Sequence, residues 1–238
     1  MKHISDLRVQ IFADGADLPG MLEMYRKPYI RGFTTNPTLM HKAGITDYGA
    51  FAREVIAAIQ DRPISFEVFA DDPAEIERQA REIATWGAQV YVKVPITTTD
   101  GTSLTPLVQR LSQSGVKVNV TATMTLAQVR AVATAVQGGA PCCVSVFAGR
   151  VADTGKDPVP LMAEAVRTLA SNPDAQLIWA SPRELLNILQ ADAIGCHIIT
   201  VTNDILKKLE LVGKDLDEYS LETVRMFRTD ALRAGFTL

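Results

Sequence analysis

The chain has 238 residues, of which 47% are hydrophobic and 21% are charged, which favours one large core in a single domain. Its formal net charge is −3, and the sequence contains no cluster of five or more Lys and Arg. Both features argue against nucleic acids and anionic membranes as partners. No signal-peptide pattern and no apolar stretch of roughly 18 residues occurs, so we expect a cytoplasmic protein.

Eight short β-type segments alternate with helical segments along the chain. We place the strands at residues 8–13, 30–34, 64–69, 89–94, 116–121, 142–147, 176–180 and 197–201. Repeated βα units without a low-complexity linker predict an α/β fold, a (β/α)8 TIM barrel that forms one domain over residues 1–238. An open doubly wound sheet is the alternative fold.

Capping residues mark several of the helices between these strands. Asp72 before Pro73 is an N-cap pattern, and Glu75 is placed for a capping box. Thr125 begins a second amphipathic helix in the same way. The three cysteines, Cys142, Cys143 and Cys196, lack disulfide or zinc-site spacing, and we expect them to be buried apolar side chains.

Residues 214–238, after the eighth βα unit, form a predicted C-terminal helical extension. This segment is more apolar than a solvated tail requires, because it contains Leu216, Tyr219, Leu221, Val224, Phe227 and Leu232. We expect it to pack on the barrel or on a neighbouring subunit.

Polar side chains lie at the end of one predicted strand after another. In a barrel these ends meet at one mouth, where catalytic groups are found. A packed core gains nothing from such a set, since each unpaired buried polar group costs about 1–3 kcal/mol. We therefore predict a site at this mouth in which Asp14, Glu67, Lys93 and Thr121 are catalytic, and in which the substrate is bound by Thr35, Asn36, Asn119, Ser145, Phe147, Arg150, Ser181 and Arg183.

Lys93 is the most informative of these residues, because valines flank it on both sides. Burial lowers the pKa of a lysine and supplies the free amine that attacks a carbonyl. A lysine whose ammonium reaches solvent at the strand end is the alternative. Glu67 is a similarly isolated charge on the preceding strand, and a buried ion pair is its alternative role.

The remaining candidates also have structural alternatives. Asp14 could be a helix N-cap and Asn36 a turn residue, while Asn119, Thr121 and Ser145 could bond to backbone in the core. Arg150, Ser181 and Arg183 follow the sixth and seventh strands, where barrels commonly bind phosphate, and their guanidinium groups suit a dianion. Surface ion pairing is the alternative for the two arginines. No metal site is predicted.

Six motifs, in order along residues 12–201, resemble the transaldolase family and its small subfamily that includes fructose-6-phosphate aldolase. They are Phe12-Ala13-Asp14, Thr34-Thr35-Asn36-Pro37, Val92-Lys93-Val94-Pro95, Val118-Asn119-Val120-Thr121, Ser145-Val146-Phe147-Ala148-Gly149-Arg150 and Ala180-Ser181-Pro182-Arg183. The resemblance implies a class I mechanism without metal or cofactor, in which Lys93 forms a Schiff base with a ketose phosphate.

The same resemblance implies roles for the other residues. Asp14 would take the C4 hydroxyl proton, and Glu67 would move protons through a water held by Thr121. The three-carbon unit would be held by Asn36, Asn119 and Ser145, and the phosphate by Arg150, Ser181 and Arg183. A dihydroxyacetone unit would then pass from fructose 6-phosphate or sedoheptulose 7-phosphate to an aldose phosphate, as in the pentose phosphate pathway.

Two positions bear on transfer versus release of that unit. Simple aldolases of the subfamily carry Gln where Glu67 stands and Tyr where Phe147 stands, so this sequence has the transaldolase pair. The chain departs from the family at Gly15, Val146 and Pro182. Pro182 fixes the backbone in the expected phosphate site and removes an N–H donor, which leaves open a different anionic group there.

Three functions therefore remain in view. The leading one is a transaldolase acting on small sugar phosphates. The second is an aldolase that releases dihydroxyacetone, or a transferase for an atypical ketose such as a sulfonated one. The third is a sugar-phosphate-binding barrel without catalytic activity. The resemblance also implies a homo-oligomer, a pentamer or a decamer.

Overall fold

The structure, a computed structural model, describes residues 4–237 apart from the side chain of Ser5. Residues 1–3 and 238 of the predicted domain and extension lie outside the described residues. Eight parallel strands close into a barrel in chain order, and each pairs with its sequence neighbours. The strands are β1 Gln10–Asp14, β2 Ile30–Thr34, β3 Ile64–Glu67, β4 Val90–Pro95, β5 Val118–Thr123, β6 Cys142–Val146, β7 Ala175–Trp179 and β8 Ile198–Thr202. The predicted (β/α)8 barrel is confirmed.

Helices supply the outer layer around this barrel, except for α11, which follows the last βα unit. They are α1 Leu18–Tyr25, α2 Pro37–Lys42, α3 Tyr48–Ala58, α4 Pro73–Ala84, α5 Thr105–Gln113, α6 Leu126–Ala135, α7 Ala148–Asp153, α8 Pro158–Leu169, α9 Leu186–Ala193, α10 Asn203–Leu206 and α11 Leu216–Arg233. Short 3-10 turns lie at Ile4–Asp6 and Lys207–Leu211. Across the described range, no helix combines the length and the apolar character needed to cross a membrane.

Only β2 has both predicted ends, and the other strands are shifted or shortened by one or two residues; side-chain hydrogen bonds explain two of these differences. β1 begins at Gln10, because Arg8 and Val9 donate their N–H groups to the Asp192 carboxylate instead of to a strand. β3 ends at Glu67, because Phe69 and the next residue donate to Gln79 Oε1. In both places a side chain takes the backbone donors that would have extended the sheet.

The predicted N-caps are present. Asp72 accepts hydrogen bonds from the N–H groups of Ala74 and Glu75, and Thr125 forms a capping box with Gln128. The predicted capping box at Glu75 is wrong in detail, since the Glu75 carboxylate bonds to the guanidinium of Arg78 on the next turn.

A small apolar cluster packs inside the barrel. Phe12, Cys143, Ile178, Ala180 and Ile198 pack together there. Gly32 allows this packing, because a Cβ at that position would lie 2.5 Å from Phe12 Cζ. All three cysteines are buried and free, as predicted, and burial raises the pKa of Cys142 to about 12.

The C-terminal helix is not packed on the barrel. None of the residues of α11 is buried. Large apolar side chains are exposed along it and just after it, at Leu216, Tyr219, Leu221, Val224, Met226, Phe227, Leu232 and Phe236. Of the two alternatives predicted for this segment, packing on its own barrel is not found in α11, and packing on a neighbouring subunit stays a prediction.

Candidate active site

A cavity of about 570 Å³ opens at the C-terminal ends of the strands. Parallel strands bring residues that are far apart in sequence to this rim, since side chains two apart share a face. Ten of the twelve predicted site residues line it: Asp14, Asn36, Glu67, Lys93, Thr121, Ser145, Phe147, Arg150, Ser181 and Arg183. Thr35 and Asn119 lie behind this lining with 0% exposure.

Lys93 is buried at the centre of the site, with 6% of its surface exposed. The sheet register places it beside Glu67 on one neighbouring strand and beside Asn119 on the other. Its Nζ lies 2.8 Å from Glu67 Oε2 and donates to the Thr35 carbonyl at 2.8 Å. The ammonium is thus paired inside the barrel and does not reach out to bulk solvent, which excludes the surface-lysine alternative.

Asp14 faces Lys93 across the mouth and does not cap a helix, because Asp17 caps α1. The Asp14 carboxylate accepts hydrogen bonds from Thr34 Oγ1 at 2.7 Å and from Asn36 Nδ2 at 3.3 Å. Burial raises the pKa of Asp14, while the charge of Lys93 opposes that shift. A carboxyl with a raised pKa is a better proton acceptor than an ordinary aspartate.

A chain of hydrogen bonds runs along the wall beside Lys93. Ser145 Oγ donates to Asn119 Oδ1 at 2.7 Å, and Asn119 Nδ2 donates to Ser65 Oγ at 3.0 Å. Ser145 lines the cavity, so Asn119 reaches the site through it. Thr121 also lines the cavity, and its buried Oγ1 has no hydrogen-bonding partner among the described protein atoms.

The predicted direct substrate contacts of Thr35 and Asn119 need correction. The Thr35 hydroxyl is fully buried and donates to the Ser65 carbonyl at 2.9 Å. Its main-chain oxygen is the group that faces the site, where it holds Lys93 Nζ. Asn119 has no exposed surface and has both polar ends of its amide bonded. Both residues support neighbours that line the cavity.

Asn36 both caps a helix and bonds to a residue of the site. Its Oδ1 accepts from Leu39 N at 2.9 Å and so caps α2, while its Nδ2 donates to Asp14. Because the cap fixes the side chain, the amide is held beside the carboxylate by the helix start itself.

The basic residues lie at the other side of the mouth. Arg183 Nε donates to Asp153 Oδ1 at 2.9 Å and Arg183 Nη1 to Ser181 Oγ at 3.0 Å, so the ion-pair alternative holds for Arg183. Arg150 lies over the Phe147 ring, 5.2 Å from the centroid. It has no ion pair within 4.0 Å in residues 4–237. Arg183 is therefore directly ion-paired with Asp153, whereas Arg150 acts on the same carboxylate only through its charge.

The loop after β7 packs tightly against the start of α7. Ser181 adopts φ 60°, a left-handed conformation that is uncommon outside glycine. A Cβ on Gly149 would lie 1.6 Å from the Ser181 carbonyl oxygen, so only glycine permits this approach. Pro182 follows Ser181 and also lines the cavity, which places the family departure within the site.

The sequence reasoning missed the eighth strand's contribution. Thr200, Thr202 and Asp204 line the cavity, and the Thr200 hydroxyl bonds to that of Thr34. The two-residue spacing of Thr200 and Thr202 at the end of a strand was the available signal, and it is the same signal that identified Asn119 and Thr121.

A sequence profile of the Transaldolase/Fructose-6-phosphate aldolase family matches residues 11–237 of the chain. A "Probable transaldolase" from Dehalococcoides mccartyi is 35% identical over 202 residues, covering 84% of this chain and 90% of the relative. One of the same description from Thermoanaerobacter sp. is 34% identical over 232 residues, covering 97% of this chain and 100% of the relative.

Solved structures show the same fold at low sequence identity. Dihydrodipicolinate synthase from Rhodopseudomonas palustris superposes with a TM-score of 0.59 at 15% identity, over 90% of this chain and 79% of that one. A 2,3-dimethylmalate lyase superposes with a TM-score of 0.56 at 12% identity, over 98% and 86%. The profile and the relatives place the chain in the transaldolase/fructose-6-phosphate aldolase family.

Proposed function

We propose that this family member is a transaldolase, which moves a dihydroxyacetone unit from a ketose phosphate to an aldose phosphate through a Schiff base on Lys93. Fructose 6-phosphate and sedoheptulose 7-phosphate are the proposed donors. The observation that carries the proposal is a buried lysine whose Nζ lies 2.8 Å from the Glu67 carboxylate, at the bottom of a cavity that Asp14 also lines.

Schiff-base formation begins with a proton transfer. Lys93 must lose a proton before its nitrogen attacks the C2 carbonyl, and Glu67 is within hydrogen-bond distance to accept it. Attack gives a carbinolamine, whose hydroxyl leaves as water when Glu67 returns the proton. Thr121 has a free buried hydroxyl in the same cavity and is suited to hold the water that links these transfers.

Cleavage of the C3–C4 bond then requires a base at the C4 hydroxyl. Asp14 lies across the cavity with a raised pKa, and it takes this proton as the C4–C3 electron pair moves into the iminium. The aldehyde phosphate leaves, and the three-carbon unit stays on Lys93 as an enamine. Addition of the enamine to an acceptor aldehyde, with the proton returned by Asp14, reverses the chemistry, and hydrolysis releases the new ketose phosphate.

The anion end of the substrate is proposed to lie against Arg150, Ser181 and Arg183. All three line the mouth of the cavity, and guanidinium forks match the oxygens of a phosphate. Asp153 pairs directly with Arg183 and interacts with Arg150 only through its charge, so Arg150 offers a guanidinium without a direct carboxylate partner among the described residues. Phe147 lies beneath the Arg150 guanidinium and supports it from below.

Trapping the Schiff base tests the proposal. Borohydride added with fructose 6-phosphate should reduce the imine and fix a three-carbon or six-carbon adduct, which peptide mass mapping should locate at Lys93. Lys93→Met should give no adduct and a rate at least about 10³-fold lower, as expected when a covalent nucleophile is lost. Lys117→Met, which removes a partly exposed lysine just before β5 whose Nζ donates to the Ala88 carbonyl, is the control and should keep both.

An adduct elsewhere, or none in the wild-type protein, would overturn the Schiff-base mechanism. In the second case, binding of fructose 6-phosphate without turnover would indicate a non-catalytic sugar-phosphate-binding barrel.

Dependence on an acceptor separates transfer from release. With fructose 6-phosphate as donor, product formation should be much faster when an aldehyde phosphate is present, because the enamine waits for a carbon electrophile. Glu67 and Phe147 both line the cavity, and they stand where simple aldolases of the subfamily carry Gln and Tyr. This pair of residues supports the expectation of transfer. Release of dihydroxyacetone at the same rate without an acceptor would identify an aldolase, and turnover only with a ketose that carries a different anionic group would identify an atypical donor.

We further propose that the chain acts as a homo-oligomer in which α11 packs on another copy. The support is the exposed apolar surface of this helix, none of whose residues is buried. Monomeric soluble proteins seldom expose so continuous an apolar surface.

A further inference from the structure

Both main-chain polar groups of Glu67 bond to a single side chain, the hydroxyl of Tyr48. Glu67 N–H donates to Tyr48 Oη at 2.7 Å, and Tyr48 Oη donates to the Glu67 carbonyl at 2.8 Å. A tyrosine hydroxyl can donate once and accept twice, so it satisfies the two groups at the same time. This arrangement lies at the last residue of β3, where the catalytic carboxylate begins.

The sheet pattern explains why these two groups need a partner. β2 and β3 pair through Phe33 N to Pro63 O at 2.9 Å and Thr35 N to Ser65 O at 3.2 Å. A parallel ladder continued by two residues would join Glu67 N to Thr35 O, and would join residue 37 N to Glu67 O. Neither bond forms. Pro37 has no N–H, and the Thr35 carbonyl holds Lys93 Nζ instead.

Tyr48 is itself held firmly in this position. It is the first residue of α3, whose N-cap is Asp47. Its ring makes edge contacts with Phe66 and Phe69 and a tilted contact with Trp86, at centroid distances of 5.5 to 6.3 Å. Burial raises the pKa of Tyr48, so the hydroxyl stays protonated and remains able to donate to the Glu67 carbonyl.

We propose that Tyr48 is a positioning residue for the Lys93–Glu67 pair. Its hydroxyl replaces the backbone groups after β2 that would otherwise pair with Glu67, and so it leaves the Thr35 carbonyl free for Lys93. Without that hydroxyl, Glu67 N–H would compete with Lys93 Nζ for the Thr35 carbonyl. Closing of the β2–β3 ladder would then shift the carboxylate relative to the amine. This inference rests on the proposed Schiff-base function.

The test is Tyr48→Phe, which keeps the ring and removes only the hydroxyl. Its kcat should fall about 10- to 100-fold, the range expected when reacting groups are misplaced by a fraction of an ångström to 1 Å. KM should stay within about 2-fold, since Tyr48 does not line the cavity. The rate of borohydride-trapped adduct formation on Lys93 should fall by the same factor as kcat.

Tyr25→Phe is the matched control. It also removes a tyrosine hydroxyl bond, to Asp61 at 2.7 Å, but away from the cavity, and should leave kcat and the trapping rate unchanged. Thermal melts accompany both variants, and rates are compared per folded protein well below each Tm. A lowered Tm with wild-type kcat and trapping in Tyr48→Phe would overturn the positioning role, because the hydroxyl would then serve stability alone.

A second measurement separates this inference from the proposed function. If the wild-type protein gives no Lys93 adduct with fructose 6-phosphate, the Schiff-base proposal fails. If the wild-type protein is trapped normally and Tyr48→Phe matches it in rate, only the role of Tyr48 fails.

Discussion

At the scale of single residues, Asp14 shows how catalysis and stability oppose each other. Its pKa is raised chiefly by burial, so the folded state favours the protonated carboxyl more than the unfolded state does. Between the unfolded and folded pKa values the native state binds more protons, and the free energy of unfolding therefore falls as pH rises through that window. Ionising this buried carboxyl therefore costs stability, and its proposed role as a base requires the ionised form.

Asp14→Asn should separate these two effects. We expect a higher Tm at pH 7, because the buried charge is removed while the amide can still bond to Thr34. We also expect kcat to fall by about 10²- to 10⁴-fold, the usual contribution of a general base. Melting curves and rates check both, with Asp17→Asn, an exposed N-cap on α1, as control. A lower Tm or an unchanged rate would contradict the argument.

The wild-type pH profile gives an independent check on the same residue. Because the proposed mechanism uses Asp14 in its ionised form, kcat/KM should fall as pH drops through its raised pKa, at a pH above the ordinary aspartate value of about 3.9. This acidic limb should be absent from the residual activity of Asp14→Asn.

At the scale of secondary-structure elements, alternation within strands was enough to predict much of the site. Because side chains two residues apart share one face of a strand, we predicted Asp14, Glu67, Lys93 and Thr121 on the inner face at the strand ends. All four line one cavity. The eight strands followed from short β-type segments that alternate with helical ones, and the sheet register then made Glu67 and Lys93 neighbours.

The sequence could not predict which backbone N–H and carbonyl groups form hydrogen bonds in the site. Thr35 read as a polar strand-end side chain, yet its carbonyl is the group that faces Lys93. Tyr48 carried no signal at all, since its partners are main-chain atoms of a strand 16 or more residues away, and no side-chain pattern encodes them. Asp153 was missed likewise, because its pairing with Arg183 joins a helix end to a loop that follows a different strand.

At the scale of the whole molecule, the barrel buries its own core but leaves its last helix uncovered. The apolar face of α11 includes Leu216, Tyr219, Val224 and Phe227, which a period of 3.6 residues places on one side. All four are exposed, at 43% to 79%. We propose that a second copy of the chain packs on this face, so that the apolar side chains are buried in the oligomer.

Val224→Glu tests this proposal, since a carboxylate buried in an apolar interface destabilises it. At micromolar concentration, sedimentation equilibrium should give the wild-type protein a mass that is a multiple of the 25.9 kDa chain, and the variant a lower one. Thr229→Glu adds the same charge to the opposite, polar face of the helix and should leave the mass unchanged. A wild-type mass of 25.9 kDa, or equal masses for wild type and Val224→Glu, would show that α11 is not an interface.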